Sequence, residues 1–122
     1  MDVGQGNATA LWDQAVAGTF RMEEGAAKNC ADVFVRFAET IQDQVRTSYE
    51  THDAVGFGGF VSSTELQSGF GGKGMKLTEA LLGLQEAALR MAAAYLRAGQ
   101  MFEDADAMNS MAITVAGEGV PE

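Results

Sequence analysis

The sequence is poor in the residues that brace small domains or build metal centres. A single cysteine, Cys30, precludes a disulfide within the chain. With only one histidine, His52, a structural zinc site is out of reach. The same shortage excludes a di-iron carboxylate bundle of the Glu-x-x-His kind, which needs two histidines. The one proline is Pro121, so nothing in the body of the chain forces a helix to stop. Basic residues are scarce. Eight Lys and Arg stand against 17 Asp and Glu, a net charge of −9, which disfavours nucleic acid and anionic membrane surfaces because phosphate neutralisation needs clustered cations. A basic or neutral protein partner is compatible with that charge. No apolar run approaches the length of a membrane span, and Met1 to Ala10 lacks the basic start and apolar core of a secretory signal.

What is present is helical periodicity within one domain-sized chain of 122 residues. The strongest stretch is Leu77 to Ala105, where Leu77, Leu81, Leu84, Ala88, Met91, Tyr95, Ala98, Phe102 and Ala105 alternate spacings of four and three. This is the pattern of a helix packed lengthwise on another helix. The apolar face is wider than one seam requires, since Leu82, Leu89 and Leu96 fall on a second flank. Two readings follow: an intramolecular core, or a flank that docks on a second chain. Glu86 and Arg90 form an i,i+4 pair on the polar side.

A first helix is expected over about residues 9–52, capped by Asn7 or Thr9. Its early stripe runs Leu11, Ala15, Gly18, Met22, Gly25, with Trp12, Val16 and Phe20 alongside. A later stripe of Ala26, Cys30, Val33, Phe37, Ile41 and Val45 drifts around the helix, which predicts a change of phase or a bend near Gly25. Cys30 reads as a small buried thiol. Gly18 and Gly25 are expected to admit a close helix opposite Phe102 and Met108. The connection over about 53–76 repeats Gly-Phe-Gly-Gly at 56–59 and 69–72 around a capping box, Ser62-Ser63-Thr64-Glu65, that predicts a short helix over 63–68. Phe57, Phe60 and Phe70 either cap the hairpin tip or form a partner-binding knuckle. The second helix is expected over about 77–111, followed by a flexible tail at 112–122.

The expectation is thus an all-α antiparallel two-helix hairpin with a long Gly/Phe-rich connection, pairing into a four-helix bundle. The string Gly69-x-Gly71-x-x-Gly74 matches a dinucleotide fingerprint but lacks the strand that gives it meaning. Nor does Gly72-Lys73-Gly74 complete a phosphate-binding loop. No catalytic constellation is found, and neither enzyme activity nor a cofactor is expected. The partner-interface candidates are Leu82, Leu89, Leu96, Trp12, Phe20, Phe57, Phe60 and Phe70.

One short motif joins this architecture. Phe102-Glu103-Asp104-Ala105-Asp106 places an aromatic residue four positions before an acid, near the end of the second helix. An acidic helical hairpin with such a motif resembles the small WXG100-like and EspC-like substrates of bacterial type VII (ESX) secretion systems. In those proteins a Tyr-x-x-x-Asp/Glu motif followed by a flexible tail forms part of the export signal. Here Phe stands for Tyr, and no Trp-x-Gly occupies the turn. The resemblance implies Phe102 and Asp106 as the export signal, and secretion without a cleaved signal peptide. It also implies a homodimer or heterodimer with another helical hairpin or a toxin N-terminal domain, and contact with the type VII machinery. Its alternative is a cytoplasmic targeting factor or chaperone for such a toxin domain.

Overall fold

The computed structural model describes residues 2–53 and 74–118, with side chains over 2–47 and 77–118. The described chain is all-α: α1 (Gln5–Ala17), α2 (Glu24–Asp53), α3 (Gly74–Ala98) and α4 (Phe102–Glu118). The Gly-Phe-Gly-Gly repeats, the expected short helix and the candidates Phe57, Phe60 and Phe70 lie outside the described residues.

Each rod expected from the sequence is two helices. The first breaks at Gly18 rather than bending at Gly25. Gly18 has a left-handed backbone (φ 83), its amide donates to the Ala15 carbonyl and the Thr19 amide donates to that of Gln14. This pattern closes the last turn by satisfying carbonyls the helix leaves open. The second rod breaks at Gly99–Met101 by the same bonds. The Gln100 amide donates to Arg97 and the Met101 amide to Leu96, with Gln100 itself left-handed (φ 64). Helix α4 then continues through Glu118, past the expected start of a tail, because Ala105, Ala112 and Val115 keep a buried stripe on it.

Helix α1 starts earlier than its expected caps. Asp2 accepts hydrogen bonds from the Gly4 amide (2.8 Å) and the Gly6 amide (3.3 Å). These bonds, Gly4's foremost, hold the Asp2 carboxyl below the usual carboxylate range. Gln5 fastens α1 to α3 by donating from Nε2 to the Gly83 carbonyl at 3.1 Å.

Helix α3 is the hub, and the other three helices all pack on it. Helix α2 runs antiparallel to it: the Met22 amide, just before α2, donates to the Ala98 carbonyl at 3.0 Å, while Gln42 meets Gln85 far along both helices. Helix α4 turns back along α3 as well, so Ala105 packs near Leu96, and Val115 near Leu82 and Leu89. Being enclosed on three sides explains why Ala92, Ala93 and Ala94 are all fully buried in succession. Only small side chains let three helices approach one axis this closely.

The close approaches fall at other glycines than those expected. Gly18 ends a helix and Gly25 lies in an exposed first turn. At Gly99, by contrast, an added Cβ would sit 2.5 Å from the Cβ of Ala27, and at Gly83 it would sit 3.1 Å from Val3. The crossing of α2 over the end of α3 therefore requires a missing side chain at position 99.

Candidate docking surface

The flank expected to face a second chain is covered by this one. Leu82, Leu89 and Leu96 are buried in the core between α2, α3 and α4. The breaks at Gly18 and Gly99 supply the reason. They turn two rods into four helices, and α1 and α4 fold back over the apolar circumference that a simple hairpin would leave bare. Trp12 and Phe20 are half-buried. Phe20 packs edge-on against Tyr95 with ring centroids 5.8 Å apart, and Phe34 stacks on the same Tyr95 at 5.6 Å.

Phe102 and Asp106 begin α4 rather than ending a long second helix. They lie one turn apart on the same face, and both are exposed. Phe102 is 48% exposed, and its ring meets the Arg97 guanidinium 4.5 Å from its centroid. Arg97 also approaches the Trp12 ring, at 5.8 Å. A cation in contact with both aromatic rings restrains Phe102 while part of its surface stays exposed. Beside it is a polar hollow of about 500 Å³ lined by Glu24, Glu103 and Asp104, with Gly99, Gln100 and Met101. The immediate surroundings of the exposed ring are therefore acidic.

A second concavity was not foreseen from the sequence. Helices α2 and α4 flank α3 and leave a groove of about 600 Å³ between them. Leu89 and Gln85 of α3 form its floor. Val35, Ala38, Glu39, Gln42 and Asp43 line one wall, and Met111, Thr114 and Val115 the other. Gln85 is buried, and its Nε2 donates to Gln42 Oε1 at 2.6 Å. Its Oε1 has no partner among the described residues, an omission that costs about 1–3 kcal/mol for a buried acceptor. Exchanging the orientations of both amides would move the deficit from an acceptor to a donor without removing it.

On the opposite flank of α2, Val33 is 62% exposed, Phe37 is 45% exposed and Cys30 is half-buried. The cysteine is thus less enclosed than the sequence suggests, because the drifting stripe that contains it faces away from α3 through Phe37 and is buried against it only at Ile41 and Val45. Among the described residues there is no cluster of three or more His, Cys, Asp or Glu side chains able to hold a metal ion. Among the described helices none is long and apolar enough to cross a membrane. In comparisons with known protein families, curated proteins and solved structures, no match to this chain was found.

Proposed function

We propose that this chain is a non-enzymatic partner protein of a type VII (ESX) secretion system, secreted or co-secreted, that works through helical assembly and an export signal at Phe102 and Asp106. The observation that carries the reading is the presentation of that pair. An exposed aromatic side chain, restrained by Arg97, stands one turn from an exposed carboxylate at the start of α4. Glu24, Glu103 and Asp104 surround it. A basic, grooved receptor has both an apolar knob to enclose and carboxylates to pair with, and charge pairing of this kind favours fast, selective encounter.

The motif here is followed by a further stretch of helix to Glu118, whereas the resemblance implies a flexible tail. The receptor in this proposal therefore reads a folded surface. The test is export of a Phe102→Ala/Asp106→Ala double variant from an ESX-bearing host. Loss of export with unchanged thermal unfolding is the expected outcome, whereas undiminished export removes the signal hypothesis.

The α2/α4 groove favours a second reading, a cytoplasmic targeting factor that holds a helix of a toxin N-terminal domain. Where the protein accumulates separates the two. A partner that leaves with its cargo is found outside the cell, and a targeting factor stays behind.

A further inference from the structure

The groove between α2 and α4 has three properties that together specify an occupant. First, it is helix-shaped. Its walls run side by side along α3, and residues 35–43 of α2 span ~12 Å, about two turns of a docked helix. Its base is apolar, with Ala38, Leu89 and Val115 buried and Met111 half-exposed on the rim.

Second, the rim is acidic. Helix α4 contains Glu103, Asp104, Asp106 and Glu118 and no Lys or Arg. By register Asp104 and Glu118 lie one heptad before and after Met111, beyond the residues that line the groove, and Arg36 lies one heptad before Asp43 on α2. Glu39 and Asp43 stand on the α2 wall. Arg46 pairs with Asp43 at 3.6 Å on exposed side chains, so it offsets one of these carboxylates. A second copy of this chain would bring another net charge of −9 to the same surface, so like charges oppose self-pairing there.

Third, the floor has an unmet polar requirement. Gln85, buried and already donating to Gln42, presents an amide oxygen with no partner among the described residues.

We propose that this groove seats a basic amphipathic helix of a partner protein. Its apolar face rests on Leu89 and Val115, its Lys or Arg side chains reach the carboxylates of the rim, and one polar side chain from its apolar face donates to Gln85 Oε1. The proposal deepens the reading of the chain as an assembly partner and rests on it. It assigns the partner's chemistry and the surface that receives it. Helix-in-groove recognition of this kind reads anchors at i, i+3, i+4 and i+7, and the Gln85 amide adds a requirement for polarity at one of them.

The probe is a synthetic peptide of about five turns, with Leu at those anchor positions, one Asn among them, and Lys on the remaining face. A matched peptide with Glu in place of Lys is the control. Binding to the full-length, isotope-labelled chain is measured by calorimetry and mapped by amide chemical shifts. The Lys peptide is expected to perturb residues around Ala38, Leu89 and Val115, and to bind at least about tenfold more tightly than the Glu peptide. Met111→Lys, at a half-exposed site where folding is checked by thermal unfolding, is expected to weaken the Lys peptide by about tenfold or more. Val33→Lys, on the opposite flank, is expected to change it by less than about twofold.

Perturbations centred on Val33 and Phe37, or equal effects of the two substitutions, would overturn the proposal. So would groove shifts that appear on concentrating the chain alone, which would assign the surface to a second copy. Failure here with export still dependent on Phe102 and Asp106 would sink the groove and leave the secretion reading standing. Loss of the export dependence with the groove intact would do the reverse.

Discussion

The two joints of the molecule, one after α1 and one after α3, use the same hydrogen bonds with different residues. After α1 the left-handed position is Gly18, for which that conformation carries no side-chain penalty. After α3 it is Gln100, and the glycine, Gly99, stands one position earlier. A joint chosen for backbone ease alone would place glycine at 100. The second joint instead spends its glycine on contact, because α2 passes so close that Ala27 occupies the space a side chain at 99 would need. Backbone comfort governs the first stop and packing governs the second.

This difference can be broken most severely at Gly99. Gly99→Ala forces its Cβ against Ala27 and is expected to destabilise the fold by about 1–3 kcal/mol, the range for overpacking a close contact. In denaturant unfolding, Ala27→Gly in the same chain should recover part of that loss. An additive double variant would mean that the two positions do not meet.

The contrast is sharpened by opposite signs at the two left-handed positions. Gly18→Ala should destabilise by about 1 kcal/mol, whereas Gln100→Gly should stabilise by a similar or slightly smaller amount, because an L side chain is disfavoured at positive φ. Both effects are read from shifts in the unfolding midpoint. Equal signs would show that the joints are not built alike.

The same comparison explains what the sequence made legible. The primacy of the stretch from Leu77 onward was readable because a helix enclosed by others keeps apolar residues on most of its circumference. Its excess width was readable too. The occupant of that width was not, since it depends on where the rods break. Gly18 offered a usable signal, a glycine directly after the helical run that ends at Ala17. Gln100 offered none, because glutamine has no left-handed preference and Gly99 reads as an ordinary tolerated helix glycine. The continuation of α4 was present in the spacing of Ala105, Met108, Ala112 and Val115, and it carries the helix seven residues, about two turns, past the expected end at 111. Phe102 and Asp106 were identified as a pair from their spacing, yet the Arg97 clamp joins three helices and no local pattern encodes it. The groove around Gln85 was invisible for the same reason, being set by how far apart α2 and α4 sit on α3.

The central claim is that α3 is enclosed by its own chain, so that docking uses the groove between α2 and α4, which reaches the leucine flank only at Leu89 on its floor. Hydrogen exchange of the isolated protein over a dilution series tests this most directly. Amides from Leu89 to Leu96 are expected to be the slowest in the molecule at every concentration, with protection set by global unfolding alone. Protection of those amides that fades on dilution would contradict the claim, because it would mean that a second chain, not α2 and α4, covers Leu82, Leu89 and Leu96.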